Sequence, residues 1–492
     1  MKTYLLRLLL ILALCCGAHV DAAPPTNQTL TARHLARLLA DPVELAELTL
    51  FFSQMPKGGD LHHHYSGAIY AEQYLEWVER QGFCIDQTSY RIQTDPELIT
   101  AQRQLDAATR QCLSAAEIVA NDLLYRELLQ RWSSKDFANH GALQPPPDRQ
   151  FFETFGYFGP VSSTHLDEGL QTIKKRAIAE NVSYIETMFK MAPAIANDAF
   201  DQAVAQARDD DESLSAIFRS QAIALDNDPA FKQKIADHVA RTEASSAGID
   251  DERFTMRYQT YVVRLLAPSQ VFSSLLAGFK AASASPLIVG VNIVGAENQN
   301  VSMRDYSLHM KMFRFLKAQY PQVKLALHAG ELALGMVPPE GLKFHIEQAL
   351  TIAGADRIGH GIDLAHEANA LAIIKTMRDQ DLPVEINLTS NDFILGVKGQ
   401  SHPLTLYRKY AVPLVLSTDD AGVSRNTLTN EYVLFASRYQ PDYAEVKKLS
   451  YNGLRYSFLP ANEKKRLLKQ LDERFAKFES AIAALNKSVV RP

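Results

Sequence analysis

An α/β barrel of the (β/α)8, or TIM, type is the fold class this sequence predicts, with helical insertions and helices at both ends. Three observations point to it. Eight short apolar or β-branched runs alternate with longer stretches of helical periodicity, a pattern that fits a closed parallel barrel better than an open sheet. The 492-residue chain is long enough for one large elaborated barrel. Four of the runs end in side chains that bind metals or move protons: Leu61-His62-His63-His64, Leu327-His328-Ala329-Gly330-Glu331, Ile358-Gly359-His360-Gly361 and Leu416-Ser417-Thr418-Asp419-Asp420. A barrel gathers such ends at one rim.

Composition narrows the class. With 47% hydrophobic and 22% charged residues the chain is ordinary globular protein, and a net charge of −5 argues against nucleic acid as a partner.

At the amino end, Lys2 and Arg7 precede the apolar run 8–16, and Val20 and Ala22 place small residues before a cleavage point. Residues 1–22 therefore read as a secretory signal peptide, and the protein as secreted or periplasmic without stable membrane association. Cys15 and Cys16 raise a lipoprotein alternative, but neither follows a small residue. Cleavage leaves Cys84 and Cys112, either a disulfide formed in an oxidising compartment or two separate buried thiols. Neither has the neighbours of a sulfur metal site.

Residues 23–55 form an N-terminal helical segment, with leucines at helical intervals predicting one amphipathic helix over 31–52. Met55-Pro56-Lys57-Gly58-Gly59 reads as a breaker. The barrel then occupies 56–459, with strands expected at 60–64, 182–187, 257–265, 287–294, 323–328, 356–360, 383–388 and 412–418. An insertion of about 82–150 carries both cysteines and ends in Pro145-Pro146-Pro147. Residues 195–250, with the run Asp209-Asp210-Asp211-Glu212, read as a solvent-exposed helical excursion. The segment 460–492 is a charged amphipathic C-terminal helix that could cap the barrel.

Hydrolytic zinc sites need three or four nitrogen and oxygen ligands, an open water position and a separate proton carrier. Side chains at i and i+2 of a strand share a face, so His62 and His64 point together and His63 points away. His328 and Glu331 flank a small Ala-Gly pair, and His360 sits between glycines. Adjacent acids at an apolar strand end, Asp419 and Asp420, need a cation or donors beside them, although one could cap a helix. Strand eight neighbours strand one in a closed barrel, which brings Asp419 towards His62 and His64.

Together with Met55-Pro56-Lys57, Gly67-Ala68, Thr389-Ser390-Asn391 and the segment Gly290-Val-Asn-Ile-Val-Gly-Ala-Glu297, these motifs resemble the adenosine deaminase family, most closely its secreted, growth-factor-related branch. The likeness runs in order over about 55–432. It implies that His62, His64, His328 and Asp419 bind one Zn²⁺, that Glu331 shuttles the proton and that His360 orients the attacking hydroxide. It further implies that Asp420 and the Gly295 backbone hold a purine through N7 and N3. The expected reaction is hydrolysis of adenosine or 2′-deoxyadenosine to the inosine product and ammonia. The alternatives are another 6-aminopurine, such as adenine or a 5′-substituted adenosine, and a non-catalytic nucleoside-binding or signalling protein. Ser66 stands where many members have an Asp that touches the ribose, Asn292 replaces a common Asp and Leu388 a Pro. None of the three is expected to touch the metal set; they bear on sugar recognition.

Overall fold

The computed structural model describes residues 25–106, 109–137 and 144–489; the leader assigned to 1–22 lies outside them. Eight strands form one parallel sheet: β1 (Lys57–His64), β5 (Val182–Met191), β6 (Thr255–Val263), β7 (Ile288–Val294), β8 (Lys324–Ala329), β9 (Arg357–His360), β10 (Val384–Ile386) and β11 (Leu414–Leu416), hydrogen-bonded in that order. A parallel bridge between His63 and Asp419 closes it. Asp419 N–H donates to His62 O at 2.8 Å, and His64 N–H to Asp419 O at 3.1 Å. The closing contact therefore runs through two site segments.

The single helix expected over 31–52 is in fact two, Asn27–Leu38 and Leu45–Gln54. Pro42 lies between them and cannot continue a helix, whereas the leucine spacing runs on across it. The expected breaker at 55–59 is also different, because Lys57 already begins β1. Its buried ammonium donates to Phe52 O at 2.6 Å, Glu180 O at 2.8 Å and Met55 O at 3.2 Å. The Phe52 and Met55 carbonyls end the preceding helix and the Glu180 carbonyl ends the helix Leu166–Ala179, so the lysine caps both.

The connection after β1 carries a small antiparallel sheet, β2 (Cys84–Asp86), β3 (Ile92–Gln93) and β4 (Cys112–Leu113), in the order β3-β2-β4. Cys84 and Cys112 are bonded, with Cα atoms 5.5 Å apart. The same connection ends in a helix, Pro147–Phe158, that comes back over the barrel mouth.

Three helices, Asp198–Gln206, Asp211–Asn227 and Pro229–Ser245, make up the excursion. It is less solvated than expected. Phe200 and Phe218 stack on Phe272 of the helix Pro268–Ala284, with ring centroids 5.4 and 5.2 Å away.

The last helix, Ala461–Val489, packs on the N-terminal pair, Phe478 meeting Phe51 at 5.2 Å. Arg474 donates to Asn181 O at 2.6 Å, just before β5 begins. This places the helix at the N-terminal end of the strands and leaves the opposite rim open. Among the described residues no helix is long and apolar enough to cross a membrane.

Candidate active site and metal centre

The C-terminal rim gathers all the singled-out side chains. His64 Nε2 lies 3.2 Å from His328 Nε2 and 3.2 Å from Asp419 Oδ1, while His62 Nε2 is 3.4 Å from that same oxygen. His360 Nε2 stands 3.8 Å from Glu331 Oε1 and 3.9 Å from Asp419 Oδ2. His360 and Asp419 both adopt positive φ, 67° and 60°. For residues other than glycine this costs about 1–3 kcal/mol each. Close packing of neighbours depends on two glycines. A Cβ on Gly359 would lie 2.8 Å from His62 Cε1, and one on Gly67 would overlap the Asp420 carboxylate.

Hydrogen bonds behind the rim decide which ring nitrogens are bare. His62 Nδ1 donates to Glu385 Oε2 at 2.7 Å, leaving Nε2 buried with no hydrogen-bond partner. His328 Nδ1 faces Asn292 Oδ1 at 2.9 Å. The Ile293 amide also donates to that atom at 2.8 Å, which identifies it as the acceptor and makes Nδ1 the donor. His328 Nε2 is therefore a lone pair. Two bare imidazole nitrogens, His64 Nε2 and a shared carboxylate oxygen converge within one ligand-to-ligand distance, a donor set that fits a divalent cation. The electrostatics agree. Burial alone would depress His62, but Asp419 and Glu385 overcome it and lift the imidazole to about 10, so the site demands positive charge at this atom.

Asn292 corrects an expectation. It does touch the metal set, through His328, because it faces inward on β7 beside the end of β8. Its amide also donates to Gln259 Oε1 at 3.0 Å, and Gln259 Nε2 donates to Glu186 Oε1 at 3.0 Å. The same Glu186 oxygen accepts from Arg357 Nη2 at 2.5 Å, and Arg357 Nε donates to Glu385 Oε1 at 2.5 Å. One buried guanidinium thus stands behind both His62 and His328.

A second buried cluster holds the Glu331 loop. Glu297 accepts from Gly330 N–H at 3.0 Å and Glu331 N–H at 2.9 Å, and is paired with His345 and Arg264. Although burial works against it, Arg264 and His345 bring Glu297 down to about 2. Glu331 itself goes the other way. Burial, then the neighbouring Asp419, holds its carboxyl well above the carboxylate range, so it retains a proton. Asp420 is raised for the same two reasons, and its Oδ1 is buried without a partner. In Asp419 the donors His62 and His64 outweigh burial and keep it ionised.

These groups open into one cavity of about 320 Å³. Ser66, Gly295, Glu331, His360 and Asp420 line it, facing Phe151, Phe152 and Phe155 of the Pro147–Phe158 helix. The three phenylalanines lie just beyond the insertion expected over about 82–150 and were not singled out in the sequence, though their i, i+1, i+4 spacing after a proline run marks an aromatic helix face. Asn298 Nδ2 donates to Asp148 Oδ2 at 3.0 Å and ties that helix to the segment after β7. Leu388 is buried and does not line the cavity. His63 is turned away, its Nδ1 2.9 Å from Thr187 Oγ1.

A family model described as adenosine deaminase matches residues 235–474. The match takes in His328, Glu331, His360, Asp419 and Asp420; His62 and His64 lie before it and join the site through closure of the barrel. An adenosine deaminase of Enterococcus faecalis is 34% identical over 154 residues, 31% of this chain and 42% of that protein. One from Danio rerio is 28% identical over 193 residues, 38% and 49% of the two chains. Over that segment the chain is similar to adenosine deaminases. It spans about half the length of the curated relatives it matches. In fold it is similar to the N6-methyl-AMP deaminase of Arabidopsis thaliana, with a TM-score of 0.55 at 17% identity over 86% of this chain and 98% of that one. It is also similar to an amidohydrolase of Burkhoderia ambifaria solved with bound Zn, at a TM-score of 0.51 and 16% identity over 89% and 94%. Among the described residues, the three histidines and Asp419 form the four-residue set that could hold a metal ion.

Proposed function

We propose that this protein is an exported, zinc-dependent deaminase of adenosine and 2′-deoxyadenosine. The observation that carries the reading is the cavity in which a cation-fitting donor set faces a protonated acid, Glu331, and a second raised acid, Asp420. When bound, zinc would make a water acidic enough to supply hydroxide at neutral pH. Glu331, holding its proton, donates it to the purine N1 as hydroxide adds to C6. The new C6 hydroxyl then gives up its proton, by way of the emptied Glu331 carboxylate, to the amino nitrogen, which leaves as ammonia as the C6 carbonyl forms. Asp420, protonated and with its Oδ1 free of any hydrogen-bond partner, donates to N7, and the Gly295 amide reaches N3. Phe151, Phe152 and Phe155 cover the apolar side of the ligand and keep water out. Asp419 and the three histidines hold the ion; His360 orients the attacking oxygen.

The lining favours a nucleoside over a nucleotide. Among the described residues no lysine or arginine lines the cavity, and a phosphate wants such a partner or a helix N-terminus. Ser66 is too short to reach the sugar as an Asp would, so ribose selection rests more on the phenylalanine helix. The Cys84–Cys112 bond supports export, since such bonds persist in oxidising compartments.

The test is ammonia release by zinc-loaded protein from adenosine, deoxyadenosine, adenine and AMP, with a chelated control. Turnover of the two nucleosides, lost on chelation, is expected. Preference for AMP or adenine overturns the substrate assignment, and silence on all four overturns the activity. Facing makes a separate prediction: His62→Ala and His64→Ala should each lose zinc, whereas His63→Ala should retain wild-type zinc content by atomic absorption. Equal loss in all three would show that β1 is turned the wrong way in this reading.

A further inference from the structure

His402 lies outside the cavity, is almost wholly buried, and has no part in the chemistry above. Its contacts nevertheless determine where a proton sits in the active site. The Leu404 backbone N–H donates to His402 Nδ1 at 3.0 Å. A backbone amide can only donate, so Nδ1 is the lone pair and Nε2 carries the hydrogen. Nε2 lies 3.1 Å from Asn391 Oδ1, which accepts from it. The other end of that amide, Asn391 Nδ2, is thereby aimed at His360 Nδ1, 3.0 Å away. Asn387 Nδ2 approaches the same nitrogen at 3.4 Å. Two NH₂ donors on one ring nitrogen leave it no hydrogen of its own. His360 must then bear its proton on Nε2, the atom that points into the site and has no hydrogen-bond partner.

We propose that His402 and Asn391 are positioning residues that fix His360 as its Nε2–H tautomer. In this form His360 is a hydrogen-bond donor to an oxygen in the site and has no lone pair there with which to act as a base. The relay begins at the backbone amide of Leu404, the first residue of the helix Leu404–Lys409, so the polarity is built into the main chain and does not depend on a nearby charge. The catalytic consequence rests on the deaminase reading; the tautomer does not.

The experiment is a two-bond ¹H–¹⁵N correlation spectrum of zinc-loaded, ¹⁵N-histidine-labelled full-length protein, with the His360 signals assigned by their loss in His360→Gln. The wild type is expected to show His360 protonated at Nε2. Asn391→Asp keeps the size but puts an acceptor where a donor stood, and should move the hydrogen to Nδ1. Under the deaminase reading kcat then falls about 10- to 100-fold with KM little changed, the range found when partners behind a site are altered. His402→Leu should lower kcat similarly, and His402→Gln, which keeps a donor towards Asn391, should restore most of it. An Nδ1-protonated His360 in the wild type overturns the proposal, whether or not any variant folds. So does an Asn391→Asp spectrum that still shows Nε2–H. A protein with the expected tautomers but no deaminase activity would remove the functional reading and leave the relay standing.

Discussion

Glu331→Gln is expected to retain a full complement of zinc and lose about 10²- to 10⁴-fold in kcat, the range supplied by a positioned acid–base group. The substitution keeps the shape of the side chain and its capacity to hydrogen-bond, so what it removes is the transferable proton. Metal retention follows from geometry. The donor set is His62, His64, His328 and Asp419, whereas the Glu331 carboxyl stands beside His360, with Oε1 3.8 Å from its Nε2. The loop also stays in place, because Glu297 grips the backbone amides of Gly330 and Glu331 and not the side chain. Zinc content by atomic absorption and steady-state kinetics on adenosine check the two halves separately. A variant with wild-type kcat, or one that loses zinc along with its activity, would remove Glu331 from the acid's role.

The barrel was legible because its strands carry two signals at once, apolar runs and chemistry-bearing ends. The pair His62 and His64 follows from strand periodicity, and closure of the sheet brings Asp419 to it. What the sequence hides is the layer beneath. Glu186, Gln259, Asn292, Arg357 and Glu385 lie on five different strands, and nothing in a linear reading says which of them share a level inside the barrel. Asn292 was for that reason assigned to sugar recognition, when β7 places it against His328. A charged residue inside an otherwise apolar strand is the signal that such a layer exists, since burial without a partner would be prohibitive. The Phe151–Phe155 face escaped for another reason. Its helix belongs to a long connection, and periodicity within a connection does not say which surface it folds back upon.

Arg357→Met should lower stability by about 3–5 kcal/mol and weaken zinc binding about 10- to 100-fold. Arg357 is buried, with its guanidinium carbon 3.7 Å from the Phe458 ring centroid, and it joins Glu186 to Glu385. Methionine fills much of the volume but leaves two carboxylates inside the barrel without their cation. Glu385 would then take up a proton or turn, and in either state it ceases to fix the hydrogen on His62 Nδ1. On the other arm, Glu186 loses the partner that holds it for Gln259 and, through Asn292, for His328. Lysine is not an equivalent replacement, because its single ammonium cannot present the separated Nε and Nη2 donors that span the two acids. Arg357→Lys should therefore recover part of the stability and less of the metal affinity. Thermal denaturation of the chelated protein reports the first quantity, and competition with a chromophoric chelator the second. If Arg357→Met binds zinc as the wild type does while losing stability, the guanidinium serves packing alone, and the orientation of His62 and His328 must come from the strands themselves.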